Sequence, residues 1–121
     1  MTFDVVNKLA FAITAALCLV LLFFPAPIYW LFSIDASASA DFIARRAAML
    51  FAGFSVLALV TSDTESDEVR QVVSLAFAVS MAGLMILGLF ELFRGVAGLG
   101  IMLAVAVEAF FAFYYIRFWR D

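Results

Sequence analysis

Histidine is absent from this 121-residue chain, and Cys18 is its only cysteine. Without an imidazole no Ser-His-Asp machinery can be assembled, and a Cys18 nucleophile would have no histidine to take its proton. One thiol cannot close an internal disulfide, and no Cys/His set is left to hold zinc. Charge is scarce too: Asp, Glu, Lys and Arg make up 14% of the residues, with a formal net charge of −3. The basic residues are scattered, so no polybasic run exists to recruit nucleic acid or an anionic lipid surface. Proline occurs at one place only, as Pro25 and Pro27. Most enzyme classes fall with these absences. The expectation is a non-enzymatic protein with no metal and no cofactor.

What fills the chain is apolar sequence. Hydrophobic residues make up 68% of it, and its mean hydropathy is +1.17, far from a soluble domain. A bilayer core takes about 20 apolar residues of helix. Such runs lie at about residues 5–24, 42–61, 69–93 and 96–119, all within a single domain, 1–121. The fold expected is therefore all-α, an integral membrane four-helix bundle. Met1–Lys8 reads as a polar lead-in. The small residues of Ala36–Ala40 lie too far beyond the first run for ordinary signal cleavage, so that run is read as a retained span. Pro25 and Pro27 end it. The aromatic stretch Ile28–Ile34 that follows is too short to span and suits the headgroup level as a short interfacial segment. Ser37, Ser39 or Asp41 can cap the second long helix. Thr61–Glu68 is polar enough to require water. Arg94-Gly95 reads as a very short turn, which pairs the third and fourth spans as a hairpin.

One carboxylate, Glu108, stands in the middle of the last run, Gly95–Trp119, roughly 16–18 Å from either end by helix rise. At such depth it needs a partner, a proton or a cavity. Gly100, Ala104, Glu108 and Ala112 recur at i+4 and form a narrow stripe that lets another helix approach. Ala10, Thr14 and Cys18 make a similar stripe on the first span. Thr14, Ser80 and Glu108 all fall near the midplane, which is the expected ligand or proton site. The alternative is that Glu108 is interhelical glue, bonded to a hydroxyl or a backbone carbonyl. Arg45 and Arg46, near one membrane face, can hold an anionic headgroup. Alternatively they snorkel, one of them paired with Glu91. The aromatic residues from Phe110 to Trp119 read as an interfacial anchor.

Orientation follows from Lys and Arg. Lys8, Arg70, Arg117 and Arg120 fall on one side, and Arg45, Arg46 and Arg94 on the other. Setting aside the two arginines within a helix leaves a bias that puts both termini in the cytoplasm.

An apolar first helix ending in prolines, a short aromatic segment, then RRAAMLFAGFSVLAL and two further spans resembles small bacterial four-helix membrane proteins of the DUF4345 and DoxX-like groups. The resemblance implies a four-helix bundle in a bacterial inner membrane and brings no set of functional residues with it. Small multidrug transporters carry their glutamate in the first helix, where this chain has none. Fluoride channels carry a Gly/Asn-rich motif that is missing here. Three functions stay open. One is a helix-packing module, with the lipid bilayer and a homo-oligomer or larger membrane complex as partners. The second is a proton-coupled transporter or channel using Glu108. The third is a binder of a lipid or hydrophobic ligand, with Arg45 and Arg46 at the headgroup.

Overall fold

The computed structural model describes every residue from Met1 to Asp121. It is all helical: α1 Phe3–Phe23, α2 Ala26–Phe32, α3 Ala38–Val60, α4 Asp67–Phe93 and α5 Ile101–Arg120. Helices α1, α3, α4 and α5 are each long and apolar enough to cross a membrane. The seven residues of α2 reach only about 10 Å, so it cannot. The chain is a multi-pass membrane protein.

Local chemistry explains where the helices begin. The Ser37 hydroxyl accepts the Ala40 N–H at 3.0 Å, so α3 starts at Ala38 rather than near residue 42. Thr2 and Ser66 cap α1 and α4 in the same way. At α5 the expectation fails in the other direction. Gly95 turns the chain with φ +79, and α5 begins only at Ile101. Arg94–Gly100 is thus a real loop, not a tight turn. Its glycines are needed for contact: a Cβ at Gly100 would fall on the Leu31 carbonyl, and one at Gly98 on the Ser33 side chain. The Gly98 N–H donates to the Phe32 carbonyl at 2.8 Å. Ser33, in the left-handed conformation at φ 57, ends α2 there.

Two antiparallel hairpins result. Helix α1 packs along α3, α4 along α5, and the two pairs meet mainly through α1 and α5. The termini and the α3–α4 loop share one end, where Phe3 packs edge-on against Tyr115 and Phe118. That end holds the larger core, with Val6, Phe77, Phe111 and Tyr115 drawn from both hairpins. At the opposite end lie α2 and the α4–α5 loop, above a smaller cluster of Leu21, Tyr29, Ala44 and Ala48. The Tyr29 hydroxyl donates to Asp41 Oδ1 at 2.9 Å and fixes α2 to the start of α3.

Candidate functional site

The small-residue stripes foreseen on the first and last spans do face each other. Ala10 and Thr14 of α1 and Ala104 and Glu108 of α5 line one space between the hairpins, a cavity of about 250 Å³. Met81 and Leu84 of α4 and Phe51 of α3 form further walls, and Phe111 bounds it from α5. Ile28, Leu31 and Phe32 close it from α2. The void has a simple origin. Alanine side chains on facing helices leave room that the phenylalanines and Tyr115 fill at the other end of the bundle.

Of the 15 lining residues 13 are hydrophobic, and the other two are Thr14 and Glu108. The buried Thr14 hydroxyl donates to the Ala10 carbonyl at 2.6 Å. Its proton is spent within its own helix, and the surface that the cavity presents is almost wholly apolar. Glu108 is half-buried, and none of the three salt bridges of the chain involves it. Nor does it take a hydrogen bond from a neighbouring hydroxyl, since Thr14 is already committed. No side chain of the protein donates to its carboxyl. Its depth also changes: counted from Ile101, it lies about 10 Å into α5.

Ser80 is not among the cavity residues; its hydroxyl returns to the Ala76 carbonyl at 2.9 Å. The structure therefore brings Thr14 and Glu108 together and leaves Ser80 outside. Arg45 and Arg46 are exposed on α3 and do not line the cavity either. The Arg46 guanidinium lies over the Phe42 ring, 5.9 Å from its centroid. Glu91 is paired with Arg94 at 3.3 Å, so the foreseen pairing with Arg45 or Arg46 does not form.

A second polar cluster went unforeseen. Asn7, read as part of a lead-in, is fully buried. Its amide nitrogen donates to the Ala58 carbonyl and to Thr61 Oγ1, each at 3.1 Å. Its oxygen accepts the Tyr115 hydroxyl at 2.7 Å. Tyr115, read as an interfacial anchor, is also fully buried and stacks on Phe77 with ring centroids 4.7 Å apart. The signal was present in the spacing. Phe3, Asn7, Ala10 and Thr14 share one face of α1, as Glu108, Phe111 and Tyr115 do on α5. This cluster satisfies itself and joins three helices, so its role is structural.

Comparison with protein-family models, with curated proteins and with solved structures gives no match.

Proposed function

We propose that this chain is a non-enzymatic protein of a bacterial inner membrane that holds one small apolar molecule between its hairpins. The observation that carries the reading is the cavity of about 250 Å³ and its nearly all-apolar lining. A dry apolar cavity of about 150 Å³ already binds benzene. The space is open at its side, where Leu84 and Leu103 are exposed, so an occupant can enter from the lipid. The bacterial inner membrane rests on the resemblance of the chain to small four-helix proteins. Cytoplasmic termini rest on the Lys/Arg bias. A Cys18→Ala, Ser66→Cys variant should then be labelled by a thiol reagent only from the cytoplasmic side, and labelling from outside alone would reverse the orientation.

Methyl NMR of the protein in lipid nanodiscs, titrated with toluene, tests the cavity. The Leu17 and Met81 methyls, which line the space, should shift saturably, while the exposed Leu50 and Val79 follow simple partitioning into the bilayer. Ala104→Phe, which places a ring in the space, should remove the saturable component. A linear response at every methyl would end the reading.

A second reading has its own observation. Arg45 and Arg46 are exposed and free of salt bridges at the α2 end, where an anionic headgroup could rest. An Arg45→Leu, Arg46→Leu protein that co-purifies with unchanged lipid would return both to snorkelling.

A further inference from the structure

The space between the hairpins has a shape as well as a lining. It runs from Leu103 to Phe111 on α5 and from Ala10 to Leu17 on α1, about 10–12 Å along the helix axes. A volume of about 250 Å³ over that length is a column about 20 Å² in section. That is the width of one extended hydrocarbon chain, too narrow for two chains side by side or for fused rings. Its depth is that of lipid chains too. The 20 residues of α5 rise about 30 Å, and Leu103 and Phe111 stand about 3 Å and 15 Å from its start. The column therefore begins just below the headgroup level on the α2 side and ends at the midplane. Ile28, Leu31 and Phe32 of α2 close it from above. The exposed Leu84 and Leu103 leave it open towards the bilayer. Thr14 keeps its hydroxyl on the Ala10 carbonyl, and the surface is almost wholly apolar, so a polar head has no place inside.

We propose that the occupant is one fatty chain of a bilayer lipid from the leaflet beside α2, turned in through the side opening with its head left outside. This rests on the proposed function and names the occupant of its apolar site, for which toluene is only a probe. Left empty, the walls of the column forfeit the contacts that close packing gives. Lipid gives the helices little hydrophobic reason to close the gap themselves. A chain restores those contacts without either hairpin moving. The bilayer at the opening consists of such chains, so mass action favours them over any dilute compact molecule. Nor does entry bury a polar group, because only methylene and methyl groups pass Leu84 and Leu103. The chain would join α1 and α3 to α4 and α5 at the end of the bundle where Asn7 and Tyr115 do not reach.

The test is methyl NMR on otherwise deuterated protein in nanodiscs of protonated phosphatidylcholine. Ala10 and Met81 line the space and are buried, out of reach of lipid that only surrounds the bundle. Their methyls should show NOEs to the chain protons of the lipid and none to its choline protons. Discs of chain-deuterated lipid should lose these NOEs, and added toluene should displace the chain and weaken them. Ala104→Phe should abolish them as well, while NOEs from lipid to the exposed Val79 persist and report an intact, inserted protein. Saturation by toluene with no chain NOEs at Ala10 and Met81 overturns the lipid chain and leaves the cavity standing. NOEs that survive in chain-deuterated discs belong to a free fatty molecule retained from the cell and overturn the bilayer lipid as the source. NOEs that survive Ala104→Phe place the chain outside the column and overturn it equally. If Ala10 and Met81 respond to neither lipid nor toluene, the cavity reading itself falls.

Discussion

The two ends of this bundle treat polar groups in opposite ways. At the end with the termini, every polar atom of Asn7 that faces inward meets a partner from α3 or α5, and aromatic rings fill the rest. At the α2 end, Glu108 is given no partner by the chain, and the helices stand apart around a space. The contrast is instructive because lipid offers little hydrophobic drive for helices to associate. Packing and hydrogen bonds decide where the hairpins are tied. They are tied by buried side chains at one end and, at the other, by the backbone bond from Gly98 to Phe32 above the space. The tied end has three blemishes, buried atoms without a partner: Asp4 Oδ1, Arg70 Nε and the hydroxyl of the fully buried Ser74; nothing in the surrounding packing accounts for the last.

The largest effect is expected where the tie is removed. Tyr115→Ala deletes the stack on Phe77 and the bond to Asn7 together and should cost about 3 kcal/mol or more. Detergent unfolding from bicelles would measure it, and a loss below about 1 kcal/mol would show that the ends are held alike. Next comes Gly100→Val, which drives a side chain onto the Leu31 carbonyl and should cost about 2 kcal/mol. Spin labels at Trp30 and Leu99, in a Cys18→Ala background, should report α2 moving away from the α4–α5 loop. An unchanged distance distribution would mean that this contact does not hold α2. The smallest effect belongs to Glu108→Gln. A group with no partner in the chain should alter stability by less than about 0.5 kcal/mol. If it costs more than about 1 kcal/mol, the carboxyl belongs to the tie and the contrast between the ends collapses.

Hydropathy was enough to read the four spans, and the prolines with the aromatic run were enough to place α2. The two polar residues of the cavity lining were readable as well, because i+4 arithmetic put Thr14 and Glu108 on stripes of small residues. Ser80 was placed with them by depth alone. Depth says nothing of rotation, and α4 turns Phe77, Met81 and Gly88 inward instead. The pairing of α1 with α3 had no local signal, since α2 intervenes and a short-loop rule does not apply. Asn7 and Tyr115 escaped for a different reason. A polar residue in the first turns of a span and a tyrosine near its end are what an interface also asks for. Only their mutual contact distinguishes the two cases, and that contact is tertiary.

Asn7 and Tyr115 are separated by 108 positions, and this has a consequence for the order of assembly. When α3 enters the bilayer beside α1, the amide nitrogen of Asn7 at once finds Ala58 and Thr61. Its carbonyl oxygen has nothing to accept until the last helix has been synthesised and inserted. The first hairpin can therefore form with the acceptor of Asn7 still without its tyrosine partner. Closure across so long a stretch of chain is entropically costly and slow, and it comes last. One carboxamide thus records the history of folding: its nitrogen belongs to the first helices made, and its oxygen waits for the final one.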